Sequence, residues 1–200
     1  MNEIEKKYIE LVAIERISTY NQIAEKENIT EDEARKEWTR NGGIDGYIAK
    51  KLGIDKKELK VLKENSIIIH EKEEIDRIRK NLFVGDRQVG FDKNFNKFYN
   101  WYITQKKKQN NCCYYCKISE NDLKELFDKR ILKSKKFTAT FHIERLDSEK
   151  NYIAENMVFA CSLCNNAKSD MISEKDFEDY FASPMYQYLQ SKINLLKRSS

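Results

Sequence analysis

Residues 142–170 read HIERLDSEKNYIAENMVFACSLCNNAKSD, and the periodicities in and just ahead of that stretch decide the fold. Taken from Thr138, the run Thr-Ala-Thr-Phe-His-Ile-Glu alternates, with Ala139, Phe141 and Ile143 on one face and Thr140, His142 and Glu144 on the other. A strand is therefore expected over 138–144, setting an imidazole beside a carboxylate on its polar face. A turn-like stretch follows from Asp147 to Asn151, where Asn151 suits left-handed backbone. A second strand is expected over Asn156–Ala160, and a helix opening at Asn165-Asn166-Ala167-Lys168. The order is strand, strand, helix.

Between the second strand and that helix lies Cys161-Ser-Leu-Cys164, and 44 residues separate it from a matching pair, Cys113-Tyr-Tyr-Cys116. Each C-x-x-C forms a tight knuckle that points two thiolates at one ion, and two knuckles complete a tetrahedral four-sulfur shell at about 2.3 Å. In a chain that starts without the apolar core of a secretory signal, such pairs read as a zinc site rather than disulfides. Buried free thiols are the plainer alternative, disfavoured by the matched spacing. Cys112 is spare, because pairing it with Cys116 would need a three-residue spacer. A closed four-cysteine shell has no open position, so this zinc would be structural and any chemistry must come from elsewhere.

The quoted stretch resembles the core of the HNH endonucleases, the ββα-metal nucleases, in their four-cysteine zinc-supported form. Asn156, then Cys161 and Cys164, then Asn165 and Lys168 are similar to the family pattern N-x4-C-x2-C-[H/N]-x2-K, and FYNWYITQKKKQNNCCYYC over 98–116 is similar to the family's lead-in. The resemblance covers roughly residues 95–182. It implies hydrolysis of DNA phosphodiester bonds with one Mg²⁺ or Mn²⁺ ion, a first-strand His as general base, and metal ligands from that strand and the helix. Carried over, the general base is His142, the metal ligands are Glu144 and Asn165, Asn156 braces the loop between strands, and Arg145 and Lys168 contact phosphate. Asp147 and Asp170 are further metal-ligand candidates, each equally a turn or capping residue. The family commonly ends its first strand with an acid followed directly by His, whereas this chain has Glu144-Arg145 with His142 two residues earlier. Three readings stay open: His142 is the base, Arg145 fills the base position and binds phosphate, or the site is inactive.

Outside this core the chain changes character. All six glycines lie at or before Gly90 and the single proline is Pro184, which divides the 200 residues near Gly85–Gly90. Three segments are expected: a helical, helix-turn-helix-like region over 1–85, a connecting aromatic and basic helix over 86–110, and the zinc-supported nuclease domain with C-terminal helices over 111–200. The fold class is thus α+β. Within the first segment, Ile23-Ala24-x-Lys26-x-x-Ile29 recurs as Ile48-Ala49-x-Lys51-x-x-Ile54 at a 25-residue offset. In each copy a helix ends at Asn28 or Gly53 and restarts behind Thr30 or Asp55, with Glu33 or Glu58 three positions on. That outline suits DNA binding or a plain helical bundle. Residues 1–70 carry 13 basic and 14 acidic side chains, so no cationic face is evident there.

A charged helix is expected over 72–82, with His70 solvated at its start. Phe91, Phe95, Phe98, Tyr99 and Tyr102 form an aromatic stripe read as core. Residues 104–136 hold ten basic and four acidic side chains, a local net of +6, the better phosphate-facing candidate. Ser173 is expected to cap a helix that Pro184 interrupts, and 185–197 to form an amphipathic helix. The longest aliphatic run, Ile67–Ile69, is far short of the roughly 20 residues of a membrane span. The chain reads as soluble and cytoplasmic. The leading function is a restriction or mobile-element endonuclease acting on DNA, as a homodimer or with a partner subunit. The competing readings are a non-catalytic zinc-clamped DNA-binding module and a partner-recruited nuclease subunit.

Overall fold

The computed structural model describes residues 1–133 and 137–198 and divides the chain into two compact units, Met1–Val84 and Gly85–Ser200. The class is α+β: mostly helical, with one two-stranded antiparallel sheet. No helix among the described residues is long and apolar enough to cross a membrane.

The first unit is all helical: α1 (Glu3–Ile9), α2 (Tyr20–Glu27), α3 (Glu31–Asn41), α4 (Ile44–Leu52), α5 (Lys56–Glu64) and α6 (Ser66–Leu82). The 25-residue repeat is visible in its caps. Asn28 (φ 53°) and Gly53 (φ 70°) end α2 and α4 in left-handed conformation. Thr30 and Asp55 then start α3 and α5 with complete capping boxes, closed by Glu33 and Glu58. The two copies are tied together at Glu27, which accepts from Tyr47 Oη at 2.9 Å and Lys51 Nζ at 2.6 Å. Ile23, Tyr47, Leu59, Ile68 and Ile75 are buried in the core. α6 starts earlier than the expected 72–82, because Asn65 Oδ1 accepts from Ile67 N and caps it. His70 consequently lies inside the helix, on its exposed side.

The second unit contains α7 (Asp86–Gly90), α8 (Phe95–Lys108), α9 (Glu120–Asp128), β1 (His142–Arg145), β2 (Met157–Ala160), α10 (Ser162–Lys168), α11 (Glu174–Asp176) and α12 (Ser183–Arg198). All five residues of the aromatic stripe are buried. α8 packs on the sheet through Trp101 and Tyr102, whose rings lie 5.3 and 5.1 Å from that of Phe159. β1 and β2 pair with His142 opposite Ala160 and Arg145 opposite Met157. The sheet stops at two strands because Gln109 closes the free edge of β2, its amide donating to Phe159 O (2.8 Å) and accepting from Phe159 N (2.9 Å).

Several boundaries depart from the sequence expectation. β1 runs over 142–145 rather than 138–144, since β2 ends at Ala160 and leaves residues 138–141 nothing to pair with. Thr138 is instead held to Ser162, donating its N–H to Oγ and accepting at its carbonyl. α10 starts at Ser162, not at Asn165, because the Cys161 sulfur takes the Cys164 N–H and acts as the cap. Asn151 keeps negative φ, its carbonyl accepting from Asn156 Nδ2. Pro184 does not interrupt the C-terminal helix. A π-helical stretch, Phe177–Ala182, widens the turn ahead of it and α12 continues through the proline. Part of the basic stretch, residues 134–136, lies outside the described residues.

α7 is seated by Gly90, where a Cβ would stand 1.6 Å from the carbonyl oxygen of Tyr152. Backbone therefore approaches backbone, and only glycine fits. Gly90→Ala is expected to cost about 1–3 kcal/mol of stability by overpacking. Denaturant unfolding checks this, and an unchanged midpoint would show that α7 does not rest on the Tyr152 loop.

Candidate metal centre and adjoining basic site

The four paired cysteines converge. Cys113, Cys116, Cys161 and Cys164 are buried, and their sulfurs all lie within 4.8 Å of one another. Cys116 Sγ stands 3.6 Å from Cys161 Sγ, too long for a disulfide and close to the roughly 3.8 Å between sulfurs of a tetrahedral shell with 2.3 Å bonds. Backbone N–H groups turn toward the sulfurs: Cys161 N donates to Cys113 Sγ at 3.2 Å and Cys164 N to Cys161 Sγ at 3.5 Å. Such donors favour thiolates over thiols. The first knuckle turns at Lys117, where left-handed backbone (φ 55°) lets Lys117 N reach Cys113 O. The second is the entry of α10. This cluster could hold one metal ion such as zinc, and it joins the segment before α9 to the end of β2. Cys112 stays outside, with its thiol near Asn110 O. Among the described residues no other group of three His, Cys, Asp or Glu converges in this way.

The polar face of β1 lies beside this cluster. His142 and Glu144 share that face by strand alternation and pair with Ala160 and Val158. His142 is half-buried, and Thr138 Oγ1 lies 3.0 Å from its Nε2. Burial, with the charge of Arg87 as a smaller contribution, holds the imidazole below its usual pKa of 6.5, so it is neutral at pH 7.

Glu144 is only 8% exposed. Its Oε1 accepts from Lys168 Nζ at 2.9 Å, and Lys168 is fully buried in α10 and also donates to Arg145 O at 3.2 Å. Burial raises the Glu144 carboxyl above its ordinary pKa, against the lowering effect of the lysine. Glu144 Oε2 carries no hydrogen bond among the described residues, and the nearby Tyr115 hydroxyl, buried in the first knuckle, has no partner among them either.

Lys168 was expected at a phosphate. Its ammonium is instead committed inside the protein, linking α10 to β1. Asn156 braces the loop as expected: Oδ1 accepts from Asp147 N, and Nδ2 donates to the carbonyls of Asp147 and Asn151. Asn165 is half-exposed, three residues before Lys168 and so on the same side of α10. Arg145 reaches Asp170 Oδ1 at 3.3 Å and Lys150 O at 3.2 Å, and its guanidinium carbon lies 4.9 Å from the centre of the Tyr152 ring. Asp147 is tied to Lys150 and to Glu149 N, which keep its carboxyl below the usual range. Arg87, from α7, adds a guanidinium 5.7 Å from the same Tyr152 ring. No sequence pattern signals Arg87, since it reaches the site from 55 residues before His142 only through the packing at Gly90.

Comparison of the chain with family models, curated proteins and solved structures gives no match.

Two outcomes follow from this geometry. The purified protein is expected to carry one tightly held metal ion per chain by elemental analysis. Cys161→Ser should lose it and Cys112→Ser retain it; loss in both would place Cys112 in the shell. Lys168→Met leaves Glu144 buried without its cation and is expected to cost about 3–5 kcal/mol. A change below 1 kcal/mol in denaturant unfolding would mean that the pair does not hold α10 to β1.

Proposed function

We propose that the protein is a divalent-metal-dependent DNA endonuclease of the HNH kind, with a structural zinc in the four-cysteine cluster and His142 as general base. The supporting observation is that a neutral, half-buried imidazole and a buried carboxylate share one face of a two-stranded hairpin whose following helix, α10, is joined to that face. Neutral His142 takes the proton of an attacking water, a role that contributes about 10²–10⁴-fold. Arg145, already beside Asp170 at the protein surface, holds a phosphate oxygen. Asn156 keeps the loop between strands in the shape that presents Arg145. Glu144 Oε2, with Asn165 from α10, would hold a Mg²⁺ or Mn²⁺ ion that keeps most of its waters. When bound there, the ion neutralises charge developing on the leaving oxygen. Two-strand cutting by a chain with one such site needs a homodimer or a partner subunit.

A specific observation favours a second reading, a zinc-clamped DNA-binding module without catalysis. The Glu144–Lys168 pair already neutralises the carboxylate that would bind the ion, and Arg145 occupies the position where the family commonly has its base. For Met1–Val84, the ion pairs Lys26–Glu15, Lys50–Glu37, Lys51–Glu27 and Lys63–Asp45 neutralise cations on its surface. That supports partner docking by this unit over phosphate binding by a helix-turn-helix.

Incubation with plasmid and phage DNA in Mg²⁺, Mn²⁺ or EDTA separates these readings. Cleavage that needs the divalent ion, and falls at least 10²-fold in His142→Ala at unchanged zinc content, is the expected result. Full activity in His142→Ala would remove the base assignment, and binding without cleavage in any metal would leave the non-catalytic module.

A further inference from the structure

Most basic side chains around the hairpin have a visible reason for their charge. Lys168 has Glu144, Lys106 has Glu120 and Arg145 has Asp170. Arg87 is the exception. It is half-buried, and its one interaction among the described residues besides long-range electrostatics is with the face of the Tyr152 ring. Burial lowers the pKa of its guanidinium below its ordinary value, so the charge is held there at a cost that no carboxylate among the described residues offsets.

Its position is built rather than incidental. Gly85 (φ 56°) starts α7, and Gly90 presses the same short helix onto the Tyr152 carbonyl with no room for a side chain. Arg87, between them, is thereby laid over the Tyr152 ring. Arg145 lies over the same ring from β1, so the two guanidinium carbons are 5.7 and 4.9 Å from one centroid. The two guanidiniums meet the ring separately: the charge of Arg87, not that of Arg145, is felt at His142. Arg145 is only loosely neutralised, by an Asp170 whose side chain is 81% exposed and 3.3 Å away.

We infer that the Arg87 guanidinium, laid over Tyr152, is an oxyanion clamp whose fork takes the non-bridging oxygens of a backbone phosphodiester beside His142. The inference rests on the endonuclease reading for its ligand, DNA, although the clamp itself requires only a tetrahedral oxyanion. Planar guanidiniums suit that ligand because each offers paired N–H donors to two phosphate oxygens. Tyr152 backs the fork, and the Gly90 contact keeps it from swinging away. Arg87 is then a binding residue that also fixes the phosphate relative to the imidazole.

The test uses the full-length, metal-loaded protein and a fluorescent duplex oligonucleotide in EDTA-free buffer without Mg²⁺ or Mn²⁺. Anisotropy is read across a salt series for the unaltered chain, Arg87→Ala and Arg87→Lys. A parallel thermal-shift series uses inorganic phosphate. The expected result is about 10-fold or weaker duplex binding in Arg87→Ala, with the slope of log K against log salt reduced by about one and circular dichroism and metal content unchanged. Arg87→Lys should keep the slope and recover only part of the affinity, because the charge remains without the fork. Equal affinity and slope in Arg87→Ala would overturn the inference, as would phosphate stabilisation that is indifferent to Arg87 in a chain that binds no duplex. Arg87-dependent stabilisation by inorganic phosphate without duplex binding would support the clamp while removing DNA, and with it the endonuclease reading. Arg87-dependent duplex binding in a chain that cleaves nothing would support the clamp and remove catalysis alone.

Discussion

Four sulfurs brought to within 4.8 Å of one another are the constraint on which the rest of the second unit depends. The sheet has only two four-residue strands, far too little pairing to stand by itself in water. It is held in three ways: by the aromatic residues of α8 against Phe159, by Gln109 along the free edge of β2, and by the cysteines at its end. The cluster acts at the junction where β2 becomes α10, since Cys161 is at once a sulfur of the cluster and the cap of the helix. The direction in which α10 leaves the sheet, and so the placement of Lys168 against Glu144, follows from that one residue.

The electrostatics of the adjoining face divide into a closed part and an open part. Glu144 and Lys168 form a buried pair that holds helix to strand, and separating them would strand a charge in a poorly solvated place. Arg87 and Arg145 both meet Tyr152, Arg145 matched by the exposed Asp170 and Arg87 by no carboxylate among the described residues. A buried pair beside a guanidinium without a carboxylate is what the anion site proposed for Arg87 needs: a frame that keeps its own geometry while the anion comes from outside.

What was legible in the sequence was mostly local. The repeat of caps at Asn28, Thr30, Gly53 and Asp55 was readable because a left-handed end followed by a capping box is a short-range signal with few alternatives. The pairing of the C-x-x-C knuckles was readable from their matched spacing, whereas Asn156 as a brace was only what the family resemblance implies. The start of β1 was misjudged because alternation over 138–144 satisfies a strand pattern whether or not a partner strand is long enough to pair with it. The start of α10 was missed because a cysteine sulfur seldom caps a helix, and Lys168 because nothing local says a lysine will be buried. Gln109 as a surrogate strand and Arg87 at the basic site are products of tertiary packing, and no window of sequence contains both partners.

With a metal bound, the four-cysteine cluster is expected to organise the hairpin, α10 and the basic site. Amide hydrogen exchange on the whole 200-residue chain, with and without a strong chelator, reads this out. Metal removal should strip protection from Cys113–Ile118, from β1 and β2 and from α10, while the capped helices α2–α5 keep theirs. Protection of β1, β2 and α10 that survives complete metal removal would show that packing, and not the metal, holds them.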